Sequence, residues 1–244
     1  MRAIGNIILS TESCDAAILI DGVAMPVRVR RSARARAYKL TIDGLRGELR
    51  LSLPARANLK RALGWAQGHE DWVRAQMAVT PAVTLLGDGV TFPLEGREVR
   101  ICWMAGATRT IRMEDDRLIL GGAAESVGAR VLRWLRTRAK AVLEAETLAM
   151  AQDHGLIVAS VGTGDTRSRW GSCTSTGAIR YSWRLILAPA WVRRSTVAHE
   201  LAHLLHMDHS PAFHAAHARI YGEDPRPARA WLKAHGAGLH RYQA

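Results

Sequence analysis

The sequence predicts an α+β protein, a β-rich N-terminal region with one helix followed by a C-terminal domain in which helices and short strands alternate. Two observations carry this. Short runs of period-two apolar residues dominate residues 1–122, and the apolar spacing turns helical after Gly121-Gly122. A third observation concerns function: HELAHLLHMDH, residues 199–209, puts four histidines on and just beyond one of the helical segments. The expected domains are therefore 1–122 and 123–244. With 244 residues, 48% of them hydrophobic, the chain can bury a sizeable core.

The N-terminal MRAIGNIILSTESCD has a short apolar stretch and no small-residue cleavage pattern, so it reads as a strand. Residues 26–42, PVRVRRSARARAYKLTI, alternate over much of their length, which puts Arg28, Arg30, Arg34 and Arg36 on one face of a strand. That face is either a solvated surface or a binding face for phosphate or an acidic partner. Residues 57–78 read as a helix with Leu59, Leu63, Ala66, Val73 and Met77 on one side, weakened by Gly64 and Gly68. Gly87-Asp88-Gly89 reads as a hairpin turn between two short strands. Thr110–Met113 and Leu118–Leu120 flank the acidic turn Glu114-Asp115-Asp116.

In the second half, Ser126 caps a long helix to about Asp153, with Val131, Leu135, Val142 and Leu148 near one face and Gly155 as its stop. Strand-like runs follow at 157–161, 167–172 and 178–187, the last two joined by the turn Thr174–Gly177. Pro189 opens the helix that carries the histidines. Ser210-Pro211 starts another, running to about Tyr221, and a short last helix, about 227–235, stops at Gly236.

The chain carries a formal charge of +12, and 30 of its 34 basic residues are Arg. Such a balance favours anionic partners, nucleic acid among them. The charge is spread, however, with 15 basic against 10 acidic residues in 1–100 and 19 against 12 in 101–244. A nucleic-acid footprint is normally concentrated. Cys14, Cys102 and Cys173 form no disulfide framework, and no apolar run reaches the length of a membrane span. The expected location is cytoplasmic.

His199-Glu200-Leu201-Ala202-His203 is an HExxH motif in a helical context. Positions i and i+4 share a helix face, so the two imidazoles can converge on one zinc ion while the neighbouring carboxylate reaches its water. His206 is in phase with His199, but at 1.5 Å rise per residue it lies roughly 10 Å along the axis, too far for one tetrahedral site on a straight helix. The chain has to turn back, and Met207–Pro211 is where it can, since Pro211 disfavours helix at Ser210. His209 is then the favoured third ligand. Glu223 and the downstream His214 and His217 are the alternatives. The spacing of His199, His203 and His209 equals HExxHxxGxxH, with His206 in the glycine position. In such a site Glu200 is the general base, and Tyr181, His214 and Tyr221 are candidate donors to an oxyanion. Asp208 is either a support for a ligand or a turn residue.

TRSRWGSCTSTGAIRYSWRLILAP (166–189) followed by HELAHLLHMDHSPAFH (199–214) resembles the YgjP-like metal-dependent hydrolases, relatives of SprT-like and WLM-domain zinc peptidases. The resemblance implies a zincin-like catalytic domain, with a backing helix and a small mixed sheet behind the HExxH helix. It also implies His199, His203 and His209 as zinc ligands, Glu200 as catalytic base, and a peptide or protein as substrate. Zinc-dependent nucleotide pyrophosphohydrolysis is the first alternative. A nucleic-acid-associated protease or binding protein is the second. In the residues themselves, strand 167–172 reads as an edge that can hold an extended peptide, with Trp170 walling the cleft and Gly171 allowing close approach.

Overall fold

The structure, a computed structural model, describes residues 8–9, 15–43, 47–79 and 82–244. Its contacts divide the chain into Met1–Val83 and Thr84–Ala244. Residues 84–122 therefore belong to the second unit, and the expected boundary at Gly121-Gly122 lies inside it. Phe92, Leu94, Ile101, Leu118 and Leu120 share one core with Val131, Leu135, Tyr181 and Val197. The glycine pair is a packed position, since a Cβ on Gly121 would overlap the Ala107 backbone.

The first unit is a five-stranded sheet with two helices. The strands are β1 (Ile8–Leu9), β2 (Asp15–Ile20), β3 (Val23–Ser32), β4 (Lys39–Asp43) and β5 (Glu48–Pro54), in the order β1-β2-β3-β5-β4. Only β3 and β5 run parallel. Leu49, Leu51 and Leu53 face inward from β5 because side chains alternate along a strand. Asp21 and Gly22, both at positive φ, make the β2–β3 turn.

The helix expected over 57–78 is two helices, α1 (Leu59–Gln67) and α2 (Glu70–Val79), broken at Gly68-His69. The break resets the helix phase. Leu63, Ala66 and Val73 stay buried while Met77 is exposed. The basic face is also smaller than expected. The strand β3 ends at Ser32, so Arg34 and Arg36 lie beyond it. Arg28 pairs with Glu48, and Arg31 donates to the carbonyls of Ala55 and Ala57. Cys14 and most of the N-terminal stretch lie outside the described residues.

The second unit begins with β6 (Thr84–Leu85), β7 (Thr91–Leu94), β8 (Arg97–Trp103), β9 (Arg112–Glu114) and β10 (Arg117–Leu120). The hairpin expected at Gly87–Gly89 does not form between its flanking strands. The true hairpin joins β7 and β8 through Glu95-Gly96, both at positive φ, while β6 pairs with the C-terminal β14 (Tyr242–Gln243). The expected acidic turn does join β9 to β10.

A long helix, α3 (Val127–Asp153), backs this unit with Val131, Leu135, Ala139, Leu143, Thr147 and Met150 buried at helical spacing. Leu148, expected on that face, is exposed. The Ser126 hydroxyl donates to the Ala123 carbonyl and does not cap the helix.

Three strands, β11 (Ser160–Gly164), β12 (Gly171–Cys173) and β13 (Ala178–Ser182), form a mixed sheet in the order β11-β13-β12. The run expected as strand through 187 leaves the sheet as a buried 3-10 turn, Trp183–Leu187. There the buried Arg184 bonds the carbonyls of Leu239 and Tyr242 and pairs with Asp165, fixing the C-terminal segment.

Three helices complete the unit. They are α4 (Ala190–Ala202), α5 (Pro211–Tyr221) and α6 (Arg226–Leu239). The helix α5 starts at Ser210, whose hydroxyl accepts from the Phe213 N–H, and ends at the left-handed Gly222. The helix α6 continues through Gly236 to Leu239. No helix among the described residues is long and apolar enough to cross a membrane.

Candidate metal centre

The helix α4 carries His199 and Glu200 in its last turn, and His203 sits at its C-cap with still-helical φ and ψ. That keeps the i,i+4 pair facing, with ring centroids 5.0 Å apart. The helix then tightens: the Leu205 and His206 N–H groups both donate to the Ala202 carbonyl. His206 lies at negative φ, so the turn avoids the left-handed conformation that a glycine would take there. Its side chain is a bystander, but its carbonyl accepts from His203 Nδ1 at 3.1 Å. That bond puts the proton on Nδ1 and leaves Nε2 free.

The next turn returns His209 to the site. Asp208 accepts from the Ser210 N–H at 3.1 Å and shapes the turn. His209 Nε2 comes to 3.3 Å from His199 Nε2. One ring nitrogen from each of His199, His203 and His209 lies within 4.8 Å of the others, and this is the one such group among the described residues. Glu223 is not in it.

Phe213, fully buried on α5, underlies all three imidazoles, with centroids 4.9, 4.6 and 4.7 Å from His199, His203 and His209. Sequence reasoning missed it. The available signal was its place three residues after the Ser210 cap, facing back toward the preceding turn.

The electrostatics suit a cation. Burial, with His217, His203 and His209 adding repulsion, pushes His199 down to about 3, and burial also lowers His203. Both imidazoles are neutral donors at pH 7, the form that binds metal. Glu200 is buried, and desolvation pushes it up to about 7 against the opposing charge of Arg169. Its room comes from Gly171 on β12, where an added Cβ would sit 2.6 Å from Glu200 Cδ. Three imidazoles with converging ring nitrogens, beside a carboxylate outside the cluster, fit a divalent metal ion.

A cavity of about 580 Å³ opens onto His199, Glu200 and His209, between the 169–171 segment, α4, α5 and α6. Trp170 lines it, packed against Gly236 and His240. The strand β12 is a sheet edge, as its position in the strand order requires. His217 is buried, and its Nε2 meets the Ser195 carbonyl at 2.9 Å, which braces α5 on α4. Of the three candidate oxyanion donors, only His214 lines the cavity. The Tyr181 hydroxyl is buried against Thr147, and the Tyr221 hydroxyl donates to the Trp191 carbonyl. Cys173 is half-buried, and its thiol faces the Thr174 carbonyl.

A histidine triad and an adjacent buried carboxylate, opening on one cleft of an α+β unit, have the organisation of a metal-dependent hydrolase. The chain belongs to the YgjP-like family, whose metallopeptidase domain matches residues 36–235. No curated protein and no solved structure matches it.

Proposed function

We propose that the chain is a zinc-dependent peptidase in which His199, His203 and His209 hold the metal and Glu200 is the general base. The observation that carries this reading is the convergence of three imidazole nitrogens within 4.8 Å beside the buried Glu200 carboxylate. An all-imidazole donor set without thiolates suits zinc in a catalytic role, where one coordination position stays open. Bound there, zinc would polarise a substrate carbonyl and lower the pKa of a water molecule.

The chain's own residues supply the rest. Glu200, pushed up to about 7, is poised to accept a proton at its carboxylate near neutral pH and release it to a leaving amine. Gly171 and burial hold that carboxylate in one place. The edge of β12 offers backbone groups to an extended peptide.

The test is metal analysis plus hydrolysis of denatured protein and peptide libraries by wild type and Glu200→Gln. The expected result is about one zinc per chain in both proteins and about 10²- to 10⁴-fold lower turnover in the variant. Folded protein that takes up no zinc, or a variant as active as wild type, overturns the reading.

A further inference from the structure

The helix α6 turns a distinctive face to the cavity. Pro225, Ala228, Arg229 and Leu232 line it at helical spacing, and Gly236, one turn further along, receives Trp170. Arg229 is thus a single cation in the middle of an otherwise apolar stripe. It makes no ion pair among the described residues, whereas Arg226, also lining the cavity, is held by Asp224. Arg169, across the cavity beside Glu200, is likewise without an ion-pair partner among the described residues. Arg229 is exposed at the cavity, so its guanidinium is open to an anion there.

Three guanidinium groups, Arg169, Arg226 and Arg229, line the same cavity as two carboxylates, Glu200 and Asp224, and the zinc of the peptidase reading would add two further positive charges, so the cavity favours an anionic group. The apolar wall of Trp170, Ala228 and Leu232 suits the side chains that accompany a carboxylate on a peptide.

We propose that Arg229 is a specificity-determining residue that binds a substrate carboxylate, so that the protein prefers peptides with an acidic side chain or a free C-terminus within a few residues of the cut bond. This rests on the peptidase reading of the same site. Both sources of carboxylate share the chemistry that Arg229 recognises.

The experiment titrates N-acetylated pentapeptides into zinc-loaded Glu200→Gln protein by calorimetry. One series compares Glu with Gln at each position, a second compares free with amidated C-termini, and a nucleoside triphosphate serves as competitor. We expect at least one carboxylate series to bind about ten-fold more tightly than its neutral isosteres, as one charge-assisted contact gives. Adding Arg229→Gln should close that gap and leave the neutral peptides unchanged, while Arg229→Lys should keep part of it. Equal binding of acidic and neutral peptides, a gap that survives Arg229→Gln, or displacement of every peptide by the triphosphate at lower concentration overturns the proposal. The gap together with peptides left uncut by the zinc-loaded wild type upholds the carboxylate subsite and overturns the peptidase reading alone.

Discussion

A Cβ placed on Gly171 would lie 2.6 Å from Cδ and 2.7 Å from Cγ of Glu200. The pairing explains why a glycine on β12 and a glutamate on α4 belong to one site. Gly171→Ala should push the carboxylate aside without touching any of the three histidines. Peptide hydrolysis should fall about 10- to 100-fold, the cost of a misplacement near 1 Å, with metal content unchanged. Kinetics and metal analysis of the same preparation check it; a fully active variant would show that the carboxylate has other positions open to it.

His206 and His209 separate side-chain from backbone roles. His209 contributes a ring nitrogen to the cluster, whereas His206 contributes its carbonyl to His203 Nδ1. His209→Ala should weaken metal retention during dialysis against a chelator by about 10-fold or more, and His206→Ala should leave it within about two-fold of wild type. Equal losses in the two variants would contradict this division.

Arg193 on α4 is nearly fully buried and makes two hydrogen bonds to Glu146 of α3, at 2.9 and 2.7 Å. Its Nη2 also lies 3.7 Å from Glu95 in the β7–β8 hairpin turn. The helix that carries His199 and Glu200 is thus anchored by a buried ion cluster behind the site. Arg193→Ala leaves Glu146 without its cation, while Glu95 keeps Arg138, and should lower unfolding free energy by about 3 kcal/mol. Urea denaturation measures this, and a loss within error of zero would mean that water replaces the arginine.

His240, stacked on Trp170, has a buried Nδ1 with no hydrogen-bond partner among the described residues. Burial, aided by nearby Arg184, pushes it down from 6.5 to about 4. In that window the unfolded chain holds the proton and the folded chain does not. Stability from this group is therefore complete above about pH 6.5 and is lost progressively as pH falls to about 4. His240→Gln should flatten the decline of Tm between pH 6.5 and 4 relative to wild type. Parallel Tm-against-pH curves would exclude His240 as a contributor.

The elements read best from sequence were those set by local rules. Ser210-Pro211 starts α5 because a cap and a first-turn proline act on adjacent backbone groups. The acidic turn between β9 and β10 is equally local. The misread elements were those whose partner lies far away. The strand β6 pairs with β14, not across Gly87–Gly89, and residues 84–122 join the core of the second unit. The apolar pattern says that a strand is buried on one side, not against what.

The same division runs through the site. The HExxH spacing and the break at Ser210-Pro211 favoured His199, His203 and His209 as the converging set, with Glu223, His214 and His217 left open, and the structure brings those three ring nitrogens together. The sequence could not reveal Gly171 making room for Glu200, Phe213 flooring the triad, the His206 carbonyl orienting His203, or Arg229 facing the cavity. Each depends on how distant elements pack, and side-chain direction across such contacts is fixed only when the core closes.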